Sequence, residues 1–337
     1  FFFNAQDGIR DSVASRGLGD VYKRQIDDQS SIPDNAQGTA ATIGVYDGVH
    51  LGHCQLLSQL REKSKEQGLA TAVITFDQHP TRVTSPENAP KLLTSFSQKM
   101  ELFESQGIDY AYIIKFDKRR SMTPAAEFFH SVFVEGVKAK AIIVGEDFQF
   151  GHNREGDVAF LKREGAKEDI EVQGLHLFRH SLSPDIVVSS TAVRMKLADG
   201  DMQMATEMLG RRFELEGTVV EGDKRGRQIG FPTANLSIPE EMLLPRDGVY
   251  ACWYYRPDGS RHMAAVNIGL RPTFQTNDSK SILEAHLIGF DGDLYGESGR
   301  IEFVEYLREE RQFDGVDALT TQLKSDVQVS QSLLGAV

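Results

Sequence analysis

The sequence predicts an α/β module of the doubly wound type, followed by an antiparallel barrel or sandwich that a C-terminal helix closes. Between Ala41 and Leu177, short β-rich runs alternate with helical patterns, which is typical of parallel strands joined by crossover helices. From Phe213 to Phe303 the β-rich runs are separated by turn clusters such as RPDGS and FDGD, which indicates antiparallel strands. From Gly315 to Leu334, apolar residues recur at mostly helical spacing.

Helices and strands of the first module follow from this alternation. Helices are expected near Leu51–Gln67 and Phe96–Gln106, because each is followed by a glycine that can adopt the left-handed conformation. A third helix is expected to open with Thr123 as N-cap and Pro124 in the first turn. Strands are predicted at Ala41–Val45, Ala70–Phe76, Tyr110–Lys115, Ala141–Val144 and Glu171–Leu177.

The boundary between the modules is expected after a helical stretch, residues 189–209, that no strand follows. Gly210 ends this stretch just before the composition changes. We therefore expect a first domain at residues 26–197, a linker at 198–212 and a second domain at 213–337. Barrel strands are expected within the runs FELEGTVV, VYACWYY, HMAAVNI, ILEAHLI and RIEFVEYL.

Residues 1–25 are left out of the fold prediction. The string from Ser15 to Gln25, SRGLGDVYKRQ, resembles the translation of a transposon adapter used in sequencing libraries. We expect residues 1–25 to be a translated artefact, the alternative being a variable leader without defined structure. Native sequence is then expected to begin near Ile26.

Composition restricts the partners of the chain. A formal net charge of −12 repels nucleic acids and anionic membrane surfaces, so we expect neither as a partner. Cys54 and Cys252 are the only cysteines, and no CxxC run occurs, so neither a disulfide framework nor a zinc site is expected. No apolar run approaches the roughly 20 residues that span a bilayer. We expect a soluble protein of the reducing cytoplasm, and the sequence leaves its oligomeric state open.

The run GVYDGVHLGH, residues 44–53, places two histidines at the start of a predicted helix. His50 and His53 are three apart and therefore share a helix face. Free backbone N–H groups and the helix dipole attract phosphate there, and imidazole N–H groups can donate to charge that develops during its transfer. Gly52 would let a nucleotide approach closely. Taken alone, such a pair more often consists of ordinary helix-start residues, so its context decides.

Three further runs of the first module accompany the histidines. TFDQHP, residues 75–80, ends the second predicted strand, and GEDFQFG, residues 145–151, follows the fourth. VSSTAVR, residues 188–194, opens a helix with hydroxyl groups from Ser190 and Thr191 and a fork-shaped cation from Arg194. Hydroxyl groups and an arginine at a helix start are suited to phosphate.

A glycine-rich basic loop, VVEGDKRGRQIGFPTANL at residues 219–236, opens the second module. Such a loop can wrap polyphosphate through its backbone N–H groups. Its spacing matches neither a Walker A loop nor a dinucleotide-binding fingerprint, so alone it indicates a flexible hairpin. The glycines are Gly222, Gly226 and Gly230, and the basic residues are Lys224, Arg225 and Arg227.

Polar residues alternate with apolar ones after this loop. Thr233 and Asn235 are two apart in extended chain and face the same side. Within LEAHL, Glu284 and His286 share one face and the apolar residues share the other, although a lone strand carboxylate is more often simply solvated. The runs VNIGLRPTF, residues 266–274, and LREERQF, residues 307–313, complete the set.

Together these runs resemble the bifunctional riboflavin kinase/FAD synthetases of bacteria, over about Ala41 to Asp326. GVYDGVHLGH resembles the opening motif of the nucleotidyltransferase superfamily, whose HxGH pair binds ATP phosphates, and the next three runs resemble F-D-x-H-P, GxDFRFG and SSTxxR. FPTAN resembles the PTAN signature of riboflavin kinases, and the later runs resemble their NIGxRPTF, E-x-H and LRxExxF motifs. The chain departs from the family at Tyr46, Gln78 and Gln149, where Phe, Pro and Arg are usual.

The resemblance implies a Rossmann-like domain that adenylylates FMN with ATP, giving FAD and pyrophosphate, and a riboflavin-kinase barrel that phosphorylates riboflavin to FMN with ATP. It implies Mg²⁺ at both sites, held in the barrel by Thr233 and Asn235. His50 and His53 would contact the ATP phosphates and the transition state, and Glu284 would accept the proton of the riboflavin 5′-hydroxyl. Implied ATP contacts are Gly44, Tyr46, Gly52, Ser190, Thr191, Arg194, Gly222, Lys224, Gly226 and Gly230, and implied flavin contacts are Asp147, Phe148 and Arg308.

Three other functions stay open at this point. A nucleotidyltransferase for a sugar or pantetheine phosphate would share the HxGH run, but the PTAN run argues against it. A non-catalytic flavin-binding regulator would have lost groups such as His50 and Glu284, which are present here. A working kinase beside an impaired synthetase is indicated only by Gln78 and Gln149. For Arg308, a structural salt bridge is as well supported as a flavin contact.

Overall fold

A computed structural model describes residues 25–28, 30–33, 37–176, 178–179, 186–222, 225–271 and 280–336. These residues form two compact units, which divide between Ser189 and Ser190, except that residues 91–95 belong to the second. The division precedes the expected domain limit at residue 197 because the helix that begins at Ser190 packs with the second unit. Of the expected leader, only Gln25 lies within the described residues, and it belongs to the first strand.

The first unit is a parallel sheet with helices, as predicted. Its strands lie in the order β1-β4-β3-β2-β5-β6, and every described pair is parallel. The strands are β1 (Gln25–Asp27), β2 (Thr39–Ile43), β3 (Ala70–Phe76), β4 (Tyr110–Ile114), β5 (Ala139–Gly145) and β6 (Glu171–Leu175). The helices are α1 (Leu51–Gln67), α2 (Thr81–Thr84), α3 (Phe96–Ser105), α4 (Ala125–Phe128), which continues as a π-helical turn over Phe129–Gly136, and α5 (Val158–Lys167). Short 3₁₀ turns lie at Pro86–Asn88, Arg120–Met122 and His152–Arg154.

The centre of this sheet fixes where a ligand can bind. All residues of β2 are buried, as expected for a parallel strand covered on both faces, and apolar clusters lie on either side of it. From β2 the chain continues to β3 on one side, whereas β5 lies on the other, so the strand order reverses between β2 and β5. In open α/β sheets, ligands bind outside the carboxyl ends of the strands at such a switch point.

The second unit is a closed antiparallel barrel with the strand order β10-β11-β8-β7-β12-β9. The structure therefore selects the barrel from the two predicted alternatives. The strands are β7 (Glu214–Val220), β8 (Ala234–Ser237), β9 (Gly248–Tyr255), β10 (Arg261–Arg271), β11 (Lys280–Leu287) and β12 (Ser298–Arg308). The helices are α6 (Ser190–Asp199), α7 (Met202–Leu209), α8 (Arg225–Gln228) and α9 (Val316–Gly335).

Side chains fill the interior of the barrel. Tyr250 and Phe213 both contact the buried ring of Phe303, at centroid distances of 5.2 and 5.9 Å. Burial therefore alternates along strands such as β7. Since a filled interior leaves no room for a substrate, we expect ligands to bind on the outer surface and its loops.

Several local predictions were wrong in detail. Thr123 is not an N-cap: α4 begins after Pro124, which makes no side-chain cap bond, and the Thr123 carbonyl accepts a hydrogen bond from His152 N at 2.9 Å. The helical stretch predicted at residues 189–209 is divided into two helices, α6 and α7. Helix α7, whose Met202 and Leu209 are buried, lies within the expected linker 198–212 and ends at Gly210 as predicted. Strands β1 and β8 were not predicted, because both are short. Leu177, the predicted end of the last sheet strand, lies outside the described residues.

Candidate active sites

A strained loop leaves the carboxyl end of β2 at the switch point. Gly44 still donates to the Ile74 carbonyl of β3, at 3.1 Å. Tyr46 and Val49 then adopt positive φ angles of 54° and 37°, and Gly48 has 81°. A left-handed conformation is costly for a tyrosine and more so for a β-branched valine, and it persists only where the surroundings enforce it. The loop therefore fixes the position at which His50 enters α1, three residues before His53.

His50 and His53 form a stacked pair at the start of α1. Their ring centroids are 3.7 Å apart with an interplanar angle of 18°. His50 is the N-cap of the helix, is only 6% exposed, and its Nδ1 accepts a hydrogen bond from the His53 backbone N at 3.4 Å. An accepting Nδ1 places the proton of the neutral imidazole on Nε2, which can donate to a phosphate oxygen at the helix N-terminus.

Neighbouring rings leave little room for a side chain at Gly52 or Gly44. A Cβ at Gly52 would lie 3.1 Å from Cε1 of His50, and one at Gly44 would lie 3.1 Å from Cε2 of Tyr46. Tyr46 itself is 1% exposed, and its hydroxyl lies 2.8 Å from Oγ1 of Thr42. The expected ATP contacts of Gly44 and Tyr46 are therefore left to their backbone groups, while the Tyr46 ring supports His53 at a centroid distance of 4.9 Å.

The GEDFQFG run leaves β5, on the other side of the switch point. The Phe148 ring is half-buried and stacks on Phe150, with centroids 5.6 Å apart and an angle of 11°. Asp147 is exposed, and a Cβ at Gly145 would lie 2.9 Å from its Oδ1. A flat ring and an exposed carboxylate after β5, the strand next to β2, offer a stacking surface and hydrogen-bond acceptors to a ligand.

The SSTAVR residues belong to the second unit and are described there. Ser190 is the first residue of α6, and Thr191 follows it with an exposed side chain. Arg194 Nε donates to the Lys91 carbonyl at 2.7 Å, which fixes one edge of its guanidinium. The hydroxyl groups thus stand at a helix start, as expected from the sequence.

In the barrel, three polar residues stand in one row across neighbouring strands. Asn235 of β8 pairs with Glu284 of β11, and Glu284 pairs with Asn267 of β10. Paired residues on adjacent strands project to the same face. Asn267 is itself held by Glu310, whose Oε1 accepts from its Nδ2 at 2.9 Å. Thr233 directly precedes β8, so its side chain lies next to this row along the chain.

The side-chain oxygen of Asn235 has no hydrogen-bond partner among the described residues. Asn235 is only 8% exposed, and a Cβ at Gly222 would overlap its amide. A buried acceptor without a donor is costly unless something else binds it. A hard oxygen held in this way fits a small hard cation such as Mg²⁺.

His286 holds the chain just before Thr233. Its Nδ1–H donates to the Pro232 carbonyl at 2.8 Å, and its ring lies 5.3 Å from that of Phe231. The sequence placed His286 on the same strand face as Glu284 but did not reveal this contact, because the two partners are distant in the chain. His286 is therefore a supporting residue of the site that only the structure identifies.

The glycine-rich loop is partly helical rather than a simple hairpin. It forms α8, and Phe231 N then donates to the Gly226 carbonyl at 2.9 Å. A Cβ at Gly226 would overlap the Phe231 carbonyl, and Gly230 ends the turn with a φ of 84°. Lys224, an expected ATP contact, lies outside the described residues.

Arg308 makes a bidentate ion pair with Asp326 of α9. Its Nε lies 3.0 Å from Oδ1 and its Nη2 lies 2.7 Å from Oδ2 of the aspartate, whose side chain is 5% exposed. Nη1 donates to the Glu309 carbonyl at 2.9 Å. Because all three nitrogen atoms of the guanidinium are engaged within the protein, the geometry favours the structural salt bridge over a flavin contact for Arg308.

Comparison with known proteins places these two sites in one family. The sequence profile of FAD synthetase matches residues 32–192, and that of riboflavin kinase matches residues 209–334. The bifunctional riboflavin kinase/FMN adenylyltransferase of Pseudomonas fluorescens is 36% identical over 297 residues, which cover 88% of this chain and 93% of the relative. The chain belongs to the bifunctional riboflavin kinase/FMN adenylyltransferase family.

A second relative carries the same name, and a solved structure shares the fold. The bifunctional riboflavin kinase/FMN adenylyltransferase of Haemophilus influenzae is 34% identical and covers 89% of this chain and 96% of its own. A crystal structure described as a macrolide-efflux protein of Streptococcus pneumoniae has a TM-score of 0.81 at 26% identity, covering 91% of this chain and 98% of its own. Among the helices that the structure describes, none has the length and apolar character needed to cross a membrane.

Two departures from the family pattern can be followed in the structure. Gln78 Nε2 donates to the Phe116 carbonyl at 2.9 Å, and the neighbouring Asp77 accepts from Phe116 N, also at 2.9 Å. In this chain, glutamine thus joins the segments that follow β3 and β4. Gln149 is exposed in its loop, and nothing in the structure explains its replacement of arginine.

One residue that was not predicted from the sequence contacts the start of the strained loop between β2 and α1. Lys99 of α3 is 9% exposed, and its ammonium contacts Val45 O, Thr75 Oγ1 and Phe76 O, each at 3.3 Å. Its spacing of four from Phe103 puts it on the buried side of the helix, which was the available signal. Val45 follows the carboxyl end of β2 and Phe76 ends β3, so this lysine lies at the sheet edge where the strained loop begins.

Proposed function

We propose that this chain makes FAD from riboflavin in two steps, each at its own site. The barrel phosphorylates riboflavin to FMN with ATP, and the first unit transfers the adenylyl group of a second ATP to FMN. The observation that best supports the proposal is the row of Asn235 and Glu284 beside Thr233, since a metal ligand and a base on adjacent strands are what a small-alcohol kinase needs.

For phosphoryl transfer, Glu284 is the proposed base. The riboflavin 5′-hydroxyl oxygen attacks the γ-phosphorus of ATP, the bond from that phosphorus to the β–γ bridging oxygen breaks, and ADP leaves. The hydroxyl proton passes to the Glu284 carboxylate, which mainly orients the nucleophile because the transition state is loose. Thr233 and Asn235 would hold Mg²⁺, which when bound offsets phosphate charge. His286 keeps Thr233 in place through the Pro232 carbonyl.

The backbone of the glycine-rich loop is the proposed cradle for this ATP. Gly222 and Gly226 allow close approach of chain segments that side chains would block, and N–H groups of such a loop can bind phosphate oxygens. Gly230, with its left-handed backbone, and Lys224 complete the proposed set. Arg308 is assigned to the barrel's stability rather than to flavin binding.

For adenylyl transfer, we propose that the protein contributes the positioning of the reactants and electrostatic stabilisation of the transition state. An oxygen of the FMN phosphate attacks the α-phosphorus of ATP, the bond to the α–β bridging oxygen breaks, and pyrophosphate leaves. His50 and His53 are proposed to donate from their rings to the phosphates as negative charge shifts towards the leaving group. Backbone N–H groups at the start of α1 are proposed to donate to the same phosphates.

The remaining roles at this site are also proposals. Ser190, Thr191 and Arg194 would bind the β and γ phosphates, as the SSTxxR resemblance implies. Phe148 would stack on the flavin, and Asp147 would accept a hydrogen bond from flavin or nucleotide. Mg²⁺ would accompany the triphosphate. We further propose cytoplasmic localisation, which fits a chain whose two cysteines, Cys54 and Cys252, form no disulfide. The proposed domain for adenylyl transfer, residues 26–197, extends past the division at Ser189 by most of α6, and residues 213–337 are proposed for phosphorylation.

The test is chromatography of the products formed by the purified chain with ATP and Mg²⁺. One incubation contains riboflavin and the other contains FMN. FAD from both incubations is expected. FMN from the first with no FAD from either would mean a kinase whose adenylyl-transfer site does not work. No product from either incubation would overturn the enzymatic proposal and favour a flavin-binding regulator. Riboflavin binding, measured by fluorescence quenching, would then test for such a regulator.

A further inference from the structure

A buried ammonium group joins the end of β3 to the start of the strained loop that follows β2. Lys99 Nζ lies 3.3 Å from each of three acceptors, the carbonyl oxygens of Val45 and Phe76 and the hydroxyl oxygen of Thr75. Thr75 Oγ1 in turn donates to the Val45 carbonyl, at 3.3 Å. An ammonium group has three N–H bonds, so all of its donors are used for these contacts.

The burial of this cation is unfavourable in itself. Lys99 is 9% exposed, and desolvation lowers its pKa to about 8, against the opposing effect of the carboxylates of Asp47 and Asp77. These two aspartates lie in the segments that follow β2 and β3, and Phe96 of the same helix faces the ammonium at 5.6 Å from its ring centre. A hydrophobic residue of similar length would avoid the desolvation. A role in the adjacent site would explain why lysine stands here.

The contacts of Lys99 act on the first residue of the strained loop. Val45 is followed by Tyr46 in the left-handed region, and the same loop ends at His50, the N-cap of α1. If the Val45 carbonyl were free to turn, the loop could relax and the stacked imidazoles would move. Displacements of about 1 Å can lower the rate of a positioned reaction about 100-fold.

We propose that Lys99 is a positioning residue of adenylyl transfer: its ammonium ties the ends of β2 and β3 and so holds His50 and His53 in their reactive arrangement. The inference rests on the proposed function of the first unit. Lys99 does not touch the reacting atoms in this proposal, since its three N–H groups are engaged by Val45, Thr75 and Phe76. Its charge also offsets Asp47 and Asp77, which would otherwise repel a triphosphate at this edge of the sheet.

The first test is Lys99→Met, assayed for FAD formation from FMN and ATP. The kcat is expected to fall about 10- to 100-fold with KM for FMN changed less than about threefold, because the reactive geometry is lost while flavin contacts remain. Riboflavin phosphorylation by the barrel of the same chain is expected to be unchanged. Lys63→Met is the matched control, because Lys63 makes a surface ion pair with Glu171, at 2.8 Å, away from the carboxyl edge.

Two further variants separate positioning from simple damage to the fold. Thr75→Val removes one acceptor of Lys99 and one donor to Val45, and is expected to lower the same kcat by a smaller factor. Lys99→Arg keeps a charge that does not titrate. In the native chain, kcat for FAD formation is expected to fall as the pH rises through about 8, where Lys99 loses its proton. Lys99→Arg is expected to shift this fall to higher pH, and Lys99→Met to abolish it.

Native-like kcat in Lys99→Met across this pH range would overturn the proposal, as would equal losses in Lys99→Met and Lys63→Met. So would a pH profile of Lys99→Met that matches that of the native chain. The native chain distinguishes these results from failure of the proposed function. If it forms no FAD from FMN and ATP, the function itself is wrong, whereas native FAD formation that Lys99→Met preserves refutes only the role of Lys99.

Discussion

Asn235 and Glu284 stand directly opposite each other on the antiparallel strands β8 and β11. One is the proposed Mg²⁺ ligand and the other the proposed base, and their separation is set by the ladder of backbone hydrogen bonds between two strands. Groups built on regular elements are held more precisely than groups on loops. The loop residue Thr233 gains comparable support from the contact between His286 and the Pro232 carbonyl.

Glu284→Gln tests the proposed base. The amide keeps the size of the side chain but cannot take the proton, so we expect riboflavin phosphorylation to fall at least about 100-fold while FMN is still converted to FAD. Product chromatography with each flavin measures both activities. Glu305→Gln on the exposed side of β12 is the control and should leave both rates unchanged. Phosphorylation at the native rate in Glu284→Gln would show that the base is another group.

Gly222→Ala tests the cation site without changing Thr233 or Asn235, the two proposed Mg²⁺ ligands. The added Cβ would overlap the Asn235 amide and displace its oxygen, so we expect the Mg²⁺ concentration for half-maximal kinase activity to rise about tenfold or more. Titration of the kinase rate with Mg²⁺ measures this change. Gly335→Ala, at the end of α9 with no atom within 4 Å of the added Cβ, is the matched control. An unchanged Mg²⁺ requirement in Gly222→Ala would argue against Asn235 as a ligand.

His50 has two separable roles, as N-cap and as phosphate donor. Asparagine is a good N-cap and lacks the imidazole, whereas alanine lacks both functions. We expect His50→Asn and His50→Ala both to abolish FAD formation and leave FMN formation intact. His50→Ala should in addition be about 1 kcal/mol less stable than His50→Asn in urea unfolding. Loss of both activities in His50→Asn would contradict the assignment of two independent sites.

Arg308→Lys tests whether the ion pair with Asp326 is structural. Lysine cannot form the bidentate contact, so we expect the barrel to lose about 1–3 kcal/mol of unfolding free energy, less than complete removal of a partner costs. KM for riboflavin should stay unchanged. Urea unfolding and steady-state kinetics measure the two effects. A raised KM for riboflavin with unchanged stability would instead support the flavin contact, and a double-mutant cycle with Asp326→Asn would show no coupling.

Lys99 makes stability depend on pH with a defined sign. Its pKa is lowered from 10.5 to about 8 in the folded chain, so between these pH values the unfolded chain binds more protons and the unfolding free energy rises with pH. Below pH 8 the burial costs up to about 3 kcal/mol. The stability of Lys99→Met relative to the native chain should therefore decline from pH 7 to pH 10. Urea unfolding followed by circular dichroism checks this, and a difference that is constant with pH would contradict it.

The sequence by itself determined the features that depend on neighbours in the chain. The alternation of strands and helices predicted β3 and α1 with their observed bounds, and glycine predicted the helix ends at Gly68 and Gly210, which are left-handed in the structure. The motif runs predicted the family, which the comparisons confirm. Such signals are local, because periodicity, end residues and motif spacing are all written within one short segment.

The tertiary structure decided everything that depends on which segments become neighbours in space. Strand pairing brought Asn235 to Glu284, and helix docking set Arg308 against Asp326. The burial of Lys99 depends on two strand ends far from it in sequence, and nothing within α3 distinguishes it from a solvated lysine except its position on the apolar face. Non-local pairing is selected by the burial and hydrogen bonding of the whole fold, so the identity of each partner cannot be read from either segment alone.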